Sequence, residues 1–385
     1  MRLLKFELRK IWRPGILGAI IVIGLIYSYL FLSFSLTYFP NGPQCQCQYD
    51  LMKEWTEKYG TTMEEGERKD AEKGLKELKK EADQFIKANP VFAEAGYNCY
   101  KDTELFSEEK ATEEERKARE LLFSEESDYI GERIEQREGA LFAYDIRYDK
   151  QAQSDYTKKQ QIRMEQLFSE QKLDGLIPYE VMENIQAYSS WGMIFIILSI
   201  FLLLAPAITR DRMGGLRQLQ WSSRNGRNIL FVQFCAMVLS GFCLVAIELV
   251  VFSLLYAGLG TQYFWNNPIN SFFYGSVYWY DLTYGQYILS LVAIAAVLSV
   301  IVAVITFALS RYSGNFISLL MKVVPVFVVV AFLVKVQMEG LFSFENVLSS
   351  ATGIAGMEIW SVVVFLLLSL VTSIVILKRE ERCEI

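Results

Sequence analysis

Arg210 to Arg227 reads RDRMGGLRQLQWSSRNGR and lies between two long apolar runs, about Ser189 to Ile208 and Ile229 to Gly260. Arg210, Arg212, Arg217, Arg224 and Arg227 stand there against a single acid, Asp211. Such a density of cations at the end of an apolar run marks the cytosolic side of a membrane, because basic loops are retained inside. The segment therefore sets the direction of the crossings on either side of it. Within it, Leu216, Leu219 and Gln220 recur at helix-neighbour spacing, with Gly214-Gly215 before them and Ser222, Ser223 and Gly226 after. The spacing predicts a short helix held between two flexible joints.

Of the 385 residues, 52% are hydrophobic and 21% are charged, averages that combine two different populations. Residues 38 to 187 hold 34 acidic and 22 basic side chains, whereas the rest of the chain is net basic. An acidic, water-compatible domain is thus inserted into a basic membrane protein. The basic charge lies beside apolar runs, where membrane topology accounts for it, so no nucleic-acid partner is expected. The chain has no histidine, which removes Ser-His-Asp and Cys-His nucleophile systems, HExxH zinc sites and histidine proton relays together. GxxxxGK[ST], GxSxG, the kinase set and Cys-x-x-Cys are absent as well. The expectation is a chain that is not an enzyme, holds no metal and binds no cofactor directly.

Six cysteines are present. Cys235 and Cys243 lie in an apolar run and read as small core residues, and Cys383 is in the tail. Cys45, Cys47 and Cys99 fall in the acidic domain, where Cys-x-Cys with one distant partner does not match a zinc pattern. If that domain faces an oxidising exterior, a disulfide from Cys99 to Cys45 or Cys47 is a candidate, with one thiol left over.

Taken in order, residues 1–13 (MRLLKFELRKIWR) form an amphipathic helix pattern, with Arg2, Lys5, Arg9 and Arg13 on one row and Leu4, Leu8, Ile11 and Trp12 on the other. Such a helix lies along the cytosolic surface with its cations toward anionic lipid. Pro14-Gly15 ends it, and 14–37 forms a charge-free first span that crosses outward. Residues 38–187 are then an extracellular domain, mostly helical by the spacing of Leu51, Trp55 and Tyr59, of Leu75, Leu78, Ala82 and Phe85, and of Leu122, Ile130 and Ile134. Span 2 (188–209) returns to the cytosolic loop 210–228, and span 3 (229–260) goes out again. An outer loop, 261–284, has no Lys or Arg and is crowded with aromatics, including Phe264, Trp265, Phe272, Tyr278 and Trp279. Aromatic belts belong at membrane interfaces, so this loop is expected on the outer leaflet, with an aromatic grip for an amphiphilic substrate as the alternative. Spans 4 (285–309) and 5 (316–334) follow. Residues 335–357 are too broken to span and read as a re-entrant or surface segment. Span 6 (358–377) ends in a cytosolic tail, 378–385. The fold class is an all-α membrane protein with six transmembrane helices and both termini cytosolic.

Two charges interrupt the spans. Glu248 is about twenty residues from Asn228, or roughly 30 Å of helix. That places its carboxylate toward the outer side, either as a functional site or as an ordinary residue at the boundary. Lys322 lies roughly 10 Å from the inner end, close enough to snorkel. The same depths argue against a direct Glu248 to Lys322 pair. Glu248, Trp265, Trp279 and Lys322 are the candidate residues of a substrate path.

The order of these features resembles the membrane-spanning permeases of bacterial type-2 ATP-binding-cassette exporters. In many of them the loop between spans 2 and 3 runs as an acid, a glycine three or four residues on, a leucine, then serine and an arginine. The matching places are Asp211, Gly214 or Gly215, Leu219, Ser222-Ser223 and Gly226-Arg227. A lysine often follows a turn or two later, where this chain has Gln233. The opening LLKFELRKIW is also similar to the family's, and the likeness covers the membrane half, about 235 residues. The resemblance implies a coupling helix docked on a separate cytosolic ATPase subunit, with contacts among Arg210, Asp211, Gly214, Gly215, Leu219, Ser222, Arg224 and Arg227. It also implies a second permease, identical or different, with ATP and Mg used only by the ATPase. The place would be the bacterial cytoplasmic membrane, and the substrate a peptide, drug, lipid-like molecule or ion moved outward. A second reading makes the outer domain a peptide-sensing or resistance module that signals without transport, and expects a ligand-sized groove on that domain. A membrane enzyme would need polar catalytic residues facing each other at one depth, and the sequence offers only isolated ones.

Overall fold

The computed structural model describes residues 2–149, 156–215, 229–273 and 276–382. Among these residues the chain forms helices and no strand, with isolated bridges such as Thr62 to Gly175 and Pro268 to Thr283. Six helices are long and apolar enough to cross a membrane: spans 1 to 6 at Pro14–Thr37, Tyr179–Met213, Ile229–Ala257, Tyr284–Arg311, Phe316–Met338 and Met357–Arg379. A bilayer core of roughly 30 Å needs about 20 helical residues, and each span is longer than that. The chain is a multi-pass membrane protein.

Other helices used below are α1 (Arg2–Ile11), α2 (Pro43–Tyr59), α3 (Glu65–Ala88), α4 (Glu113–Leu122), α5 (Ile130–Ile146), α6 (Lys158–Ser169), α7 (Pro206–Met213, the last part of span 2) and α8 (Val347–Thr352). The residues group into two compact units. One contains 1–37, 184–260 and 286–385; the other contains 38–183 and 261–285.

In the membrane unit, span 2 is the most enclosed helix, with 78% of its apolar window buried against 17% for spans 1 and 5. Span 2 therefore supplies the centre, and the outer helices present the apolar faces that lipid requires. Span 1 meets it through the Tyr27 hydroxyl, which donates to the Trp191 carbonyl at 3.0 Å, and through Phe31 stacked on Trp191. Spans 3 and 4 approach closely at Gly241, where a Cβ would stand 3.2 Å from that of Ala303. Small residues at such crossings let backbones pack tightly where no hydrophobic force separates helix from lipid. Helix α1 packs along span 3, burying Glu7 and Ile11 and leaving Arg2, Lys5 and Arg9 exposed. Between spans 5 and 6 the chain makes one short helix, α8, capped by Asn346, whose side-chain oxygen accepts from Leu348 N at 2.9 Å.

In the inserted unit, α2 and α3 both pack against α5. Leu51 and Trp55 of α2, Leu75, Leu78 and Ala82 of α3, and Ile130, Ile134 and Leu141 of α5 are buried, following the helical spacing of the sequence. Helices α4 and α6 start with capping boxes at Thr112 and Thr157, each threonine accepting from the backbone three residues on.

The aromatic stretch 261–284 departs from expectation. Phe264, Ile269 and Tyr278 are 0% exposed. Asn267 donates to Thr56 Oγ1 at 3.0 Å and to the Leu176 carbonyl, and accepts from Tyr284 N at its own carbonyl at 2.9 Å. The described residues of this stretch are therefore part of the core of the inserted unit. An aromatic-rich composition suits a core as well as an interface. The buried amides of Asn267 and Asn270 decide between them here, because buried polar groups must find partners in the protein.

Candidate coupling site

Proline lacks an N–H and clashes with the preceding turn, so span 2 breaks at Ala205, just ahead of Pro206. Ser310 of span 4 fills the break. Its Oγ donates to the Ala205 carbonyl at 2.7 Å and accepts from Thr209 N at 3.3 Å, while Thr209 Oγ1 donates to the Ser310 carbonyl at 3.2 Å. A hydroxyl inserted into the ladder of a helix is a recognised cause of a kink.

Beyond the break, polar contacts tie α7 to α1 and to spans 3 and 4. Arg212 Nη1 donates to the carbonyls of Arg311 at 3.3 Å and Ser313 at 3.2 Å, at the end of span 4. Lys10 of α1 places its Nζ 2.6 Å from Asp211 Oδ2 and 2.7 Å from Glu7 Oε1. Gln233 Nε2 of span 3 donates to the same Asp211 oxygen at 3.3 Å. Burial alone disfavours the Lys10 ammonium, but its hydrogen bonds to Asp211 and Glu7 outweigh burial and raise its pKa. Just past α1, Trp12 Nε1 donates to Ser240 Oγ at 3.0 Å, fixing the helix to span 3.

These contacts redistribute the residues that the sequence assigns to coupling. Asp211 is 8% exposed and its carboxylate is engaged inside the chain. Arg210 is half-buried, and Gly214 and Gly215 are exposed where α7 ends. Gly215 sits at φ +68°, the left-handed conformation that closes a helix and favours glycine. Leu219, Ser222, Arg224 and Arg227 lie outside the described residues. Sequence reasoning missed Glu7, Lys10 and Gln233 as partners of this site. A signal was there: Glu7 and Lys10 stand one helical turn apart and off the row of Arg2, Lys5, Arg9 and Arg13.

Within the membrane unit, Glu248 and Lys322 have separate partners. Glu248 is buried on span 3, with its Oε2 3.0 Å from Ser199 Oγ of span 2. Lys322 donates to the Tyr312 carbonyl at 2.8 Å, in the turn between spans 4 and 5. Trp265 packs on Gly285 and Trp279 is buried, both within the inserted unit.

Cys45, Cys47 and Cys99 are free thiols, so the candidate Cys99 bridge is not formed. Cys99 is fixed beside α3, where Tyr100 N donates to Asp83 Oδ1 at 2.7 Å, whereas Cys45 and Cys47 ride on α2 along α5. Burial, then the nearby Glu180, pushes the Cys45 thiol up to about 11. Burial, then Glu132 and Asp50, pushes Cys47 up to about 11 as well. Two open grooves mark the inserted unit. One of about 690 Å³ is lined by Tyr38, Phe39, Asp50, Tyr129 and Arg137 among others. The other, of about 820 Å³, lies beside Glu65, Arg68, Asp145, Arg147 and Asp174. Small-molecule sites span roughly 300 to 1,000 Å³. Among the described residues, no group of three or more Cys, Asp or Glu is arranged to hold a metal ion.

Six membrane-crossing helices, a polar inserted unit and a clamped, Arg-bearing end of span 2 define the class as a multi-pass helical membrane protein. No family model, no curated protein and no solved structure matches the chain.

Proposed function

We propose that the chain is the permease subunit of an ATP-binding-cassette exporter, moving a peptide, drug or lipid-like substrate across the cytoplasmic membrane. The observation that supports this most is the construction of α7. It is a separate short helix at the end of span 2, broken from it at Pro206 and hydrogen-bonded to α1 and to spans 3 and 4. It leads directly into the Arg-rich segment 214–228. A force applied to that segment would reach four elements through one rigid piece. In this reading a cytosolic ATPase subunit supplies the force and uses ATP and Mg, and a second permease, identical or different, completes the assembly in the lipid. This reading takes 210–228 and both termini as cytosolic and the inserted unit as outside, an orientation that the arginine distribution favours.

The test is co-purification from the native cells in detergent, comparing the wild type with the Leu219→Ala/Arg227→Ala variant. An ATPase that accompanies the wild type and is lost from an equally stable variant is the expected result. Absence of any ATPase from both would remove the exporter reading. The grooves of the inserted unit favour a second reading, in which that unit captures a peptide and signals without transport. Saturable peptide binding with no translocation in reconstituted vesicles would select it.

A further inference from the structure

Two buried carboxyl groups of the membrane unit sit in opposite hydrogen-bonding situations. Glu358, at the start of span 6, is 0% exposed, and each of its oxygens receives a hydrogen: Oε1 from Phe342 N at 2.9 Å and Oε2 from the Ser349 hydroxyl at 2.8 Å. Glu248, on span 3, is 8% exposed and has one neighbour of this kind, the fully buried Ser199 of span 2. Ser199 Oγ lies 3.0 Å from Glu248 Oε2 and 2.8 Å from the carbonyl oxygen of Ile196, one turn back on its own helix. A serine hydroxyl has one hydrogen to give. If that hydrogen goes to the Ile196 carbonyl, the hydrogen between Ser199 and Glu248 must come from the carboxyl group. Glu248 Oε1 has no hydrogen-bond partner.

The surroundings offer no charge to balance an ionised carboxyl. Residues 14–37 of span 1, 184–209 of span 2, 286–310 of span 4 and the rest of 229–260 in span 3 carry no Asp, Glu, Lys or Arg. In span 5, Lys322 is engaged at the Tyr312 carbonyl, and Lys335 lies over the Trp191 ring and beside Glu339. In span 6, Glu358 is satisfied by Phe342 and Ser349, as above. An unpaired buried charge is costly, and a buried polar group without a partner is costly too. The neutral acid avoids the first penalty entirely.

We propose that Glu248 is a proton-binding site within the membrane unit. In the arrangement described, the carboxyl O–H donates to Ser199 Oγ and the Ser199 O–H donates to the Ile196 carbonyl, a two-step relay joining span 3 to span 2. Oε1 is then the carbonyl oxygen of the acid. Parting the two spans at this point would expose the carboxyl to water, which solvates the charged form and lets the proton go. The contact between spans 2 and 3 is therefore firmer when the proton is present and weaker at high pH. This inference does not rest on the exporter reading, since it concerns only how two spans of this chain are joined.

The experiment is infrared difference spectroscopy on the full-length protein in lipid vesicles, titrated from mildly acidic to alkaline pH. The wild type should show a protonated-carboxyl stretch near neutral pH that is missing from Glu248→Gln. The Ser199→Ala variant decides the direction of the relay. Loss of an acceptor for the neutral acid lowers the proton affinity of Glu248 by roughly fivefold, the equivalent of about one neutral hydrogen bond, and moves the loss of the band to lower pH. A move to higher pH would mean that Ser199 donates to an ionised carboxylate, and would overturn the proposal. So would a neutral-pH spectrum with no band that depends on Glu248. Thermal melting gives a second readout. Glu248→Gln keeps an amide donor for Ser199 and should melt with a flatter dependence on alkaline pH than the wild type. Identical pH dependence in the two would also count against the site.

Discussion

The position of Asp211 leads to a prediction that separates an internal clamp from a contact with a partner. Exposed ion pairs contribute about 0 to 1 kcal/mol, whereas removing one member of a fully buried pair costs about 3 to 5 kcal/mol. Here the side chain of Lys10 is 30% exposed and that of Asp211 is 10% exposed, so the pair lies between these limits. Asp211→Asn leaves Lys10 with Glu7 as a remaining partner, which softens the loss; about 2 kcal/mol is expected. Lys10→Met removes the ammonium from beside the buried Asp211 carboxylate and should cost a similar amount. Because both changes remove the same contact, their effects should not add. The Lys10→Met/Asp211→Asn variant should reveal a coupling of about 1 to 2 kcal/mol in a double-mutant cycle. Thermal melting of the detergent-solubilised protein gives the stabilities, and co-purification of an ATPase gives the functional readout in the same preparations. If α7 is clamped as described, Lys10→Met and Asp211→Asn weaken ATPase retention in parallel. Coupling near zero, together with retention lost only in the Asp211 variant, would refute the clamp and return Asp211 to the partner interface.

The cysteines give a pH-dependent prediction. With their thiols pushed up to about 11, Cys45 and Cys47 hold far less thiolate at neutral pH than an ordinary cysteine near 8.5. Alkylation of the folded protein should be roughly a hundredfold slower than for an unperturbed thiol, and should climb about tenfold per pH unit. Mass spectrometry of the non-reduced protein after timed labelling measures both, and fast labelling at neutral pH would contradict the buried setting of α2. In the same unit, Asn267→Ala removes a 1% exposed amide that donates to Thr56 and to the Leu176 carbonyl. Leaving a buried acceptor without its donor costs about 1 to 3 kcal/mol. Proteolysis should then cut 261–273 faster in the variant, and unchanged kinetics would show that the stretch is not part of that core.

The spans were legible because length and a near absence of charge suffice to define them. A run such as Ile229–Ala257 admits few other conformations. The helices of the inserted unit were legible for a related reason, since Leu75, Leu78 and Ala82 fall at the spacing of one helix face and are buried together. The burial of the aromatic stretch 261–284 within its unit was not legible, because composition reports that residues avoid water and does not say what covers them. The buried asparagines within it were a better guide than the aromatics around them. The spacing of Glu7 and Lys10 marked their face of α1, but the pairing of Lys10 with Asp211 was not legible, because 201 positions separate the two residues. The Cys99 bridge failed in the same way, since pairing depends on the helices that carry the sulfurs and not on their count.

The contacts around α7 differ in strength, and the difference says how the helix would move. Hydrogen bonds between membrane helices average about 0.6 kcal/mol and reach about 1.7 kcal/mol. The Ser310 contacts at the Ala205 break are of that kind, so they can be exchanged for others at small cost. The Lys10 to Asp211 contact is charged, only 10% exposed on its acidic side, and reinforced by Gln233 and Glu7. Breaking it costs more than breaking the Ser310 joint. A force on the segment after Gly215 would therefore carry α7 and α1 together and yield first at Ala205, with Pro206 already lacking the backbone hydrogen bond that would resist it. An amphipathic helix at the N-terminus and the end of span 2 then act as one lever, hinged on span 4. If the chain is the exporter permease proposed above, α1 would move with α7.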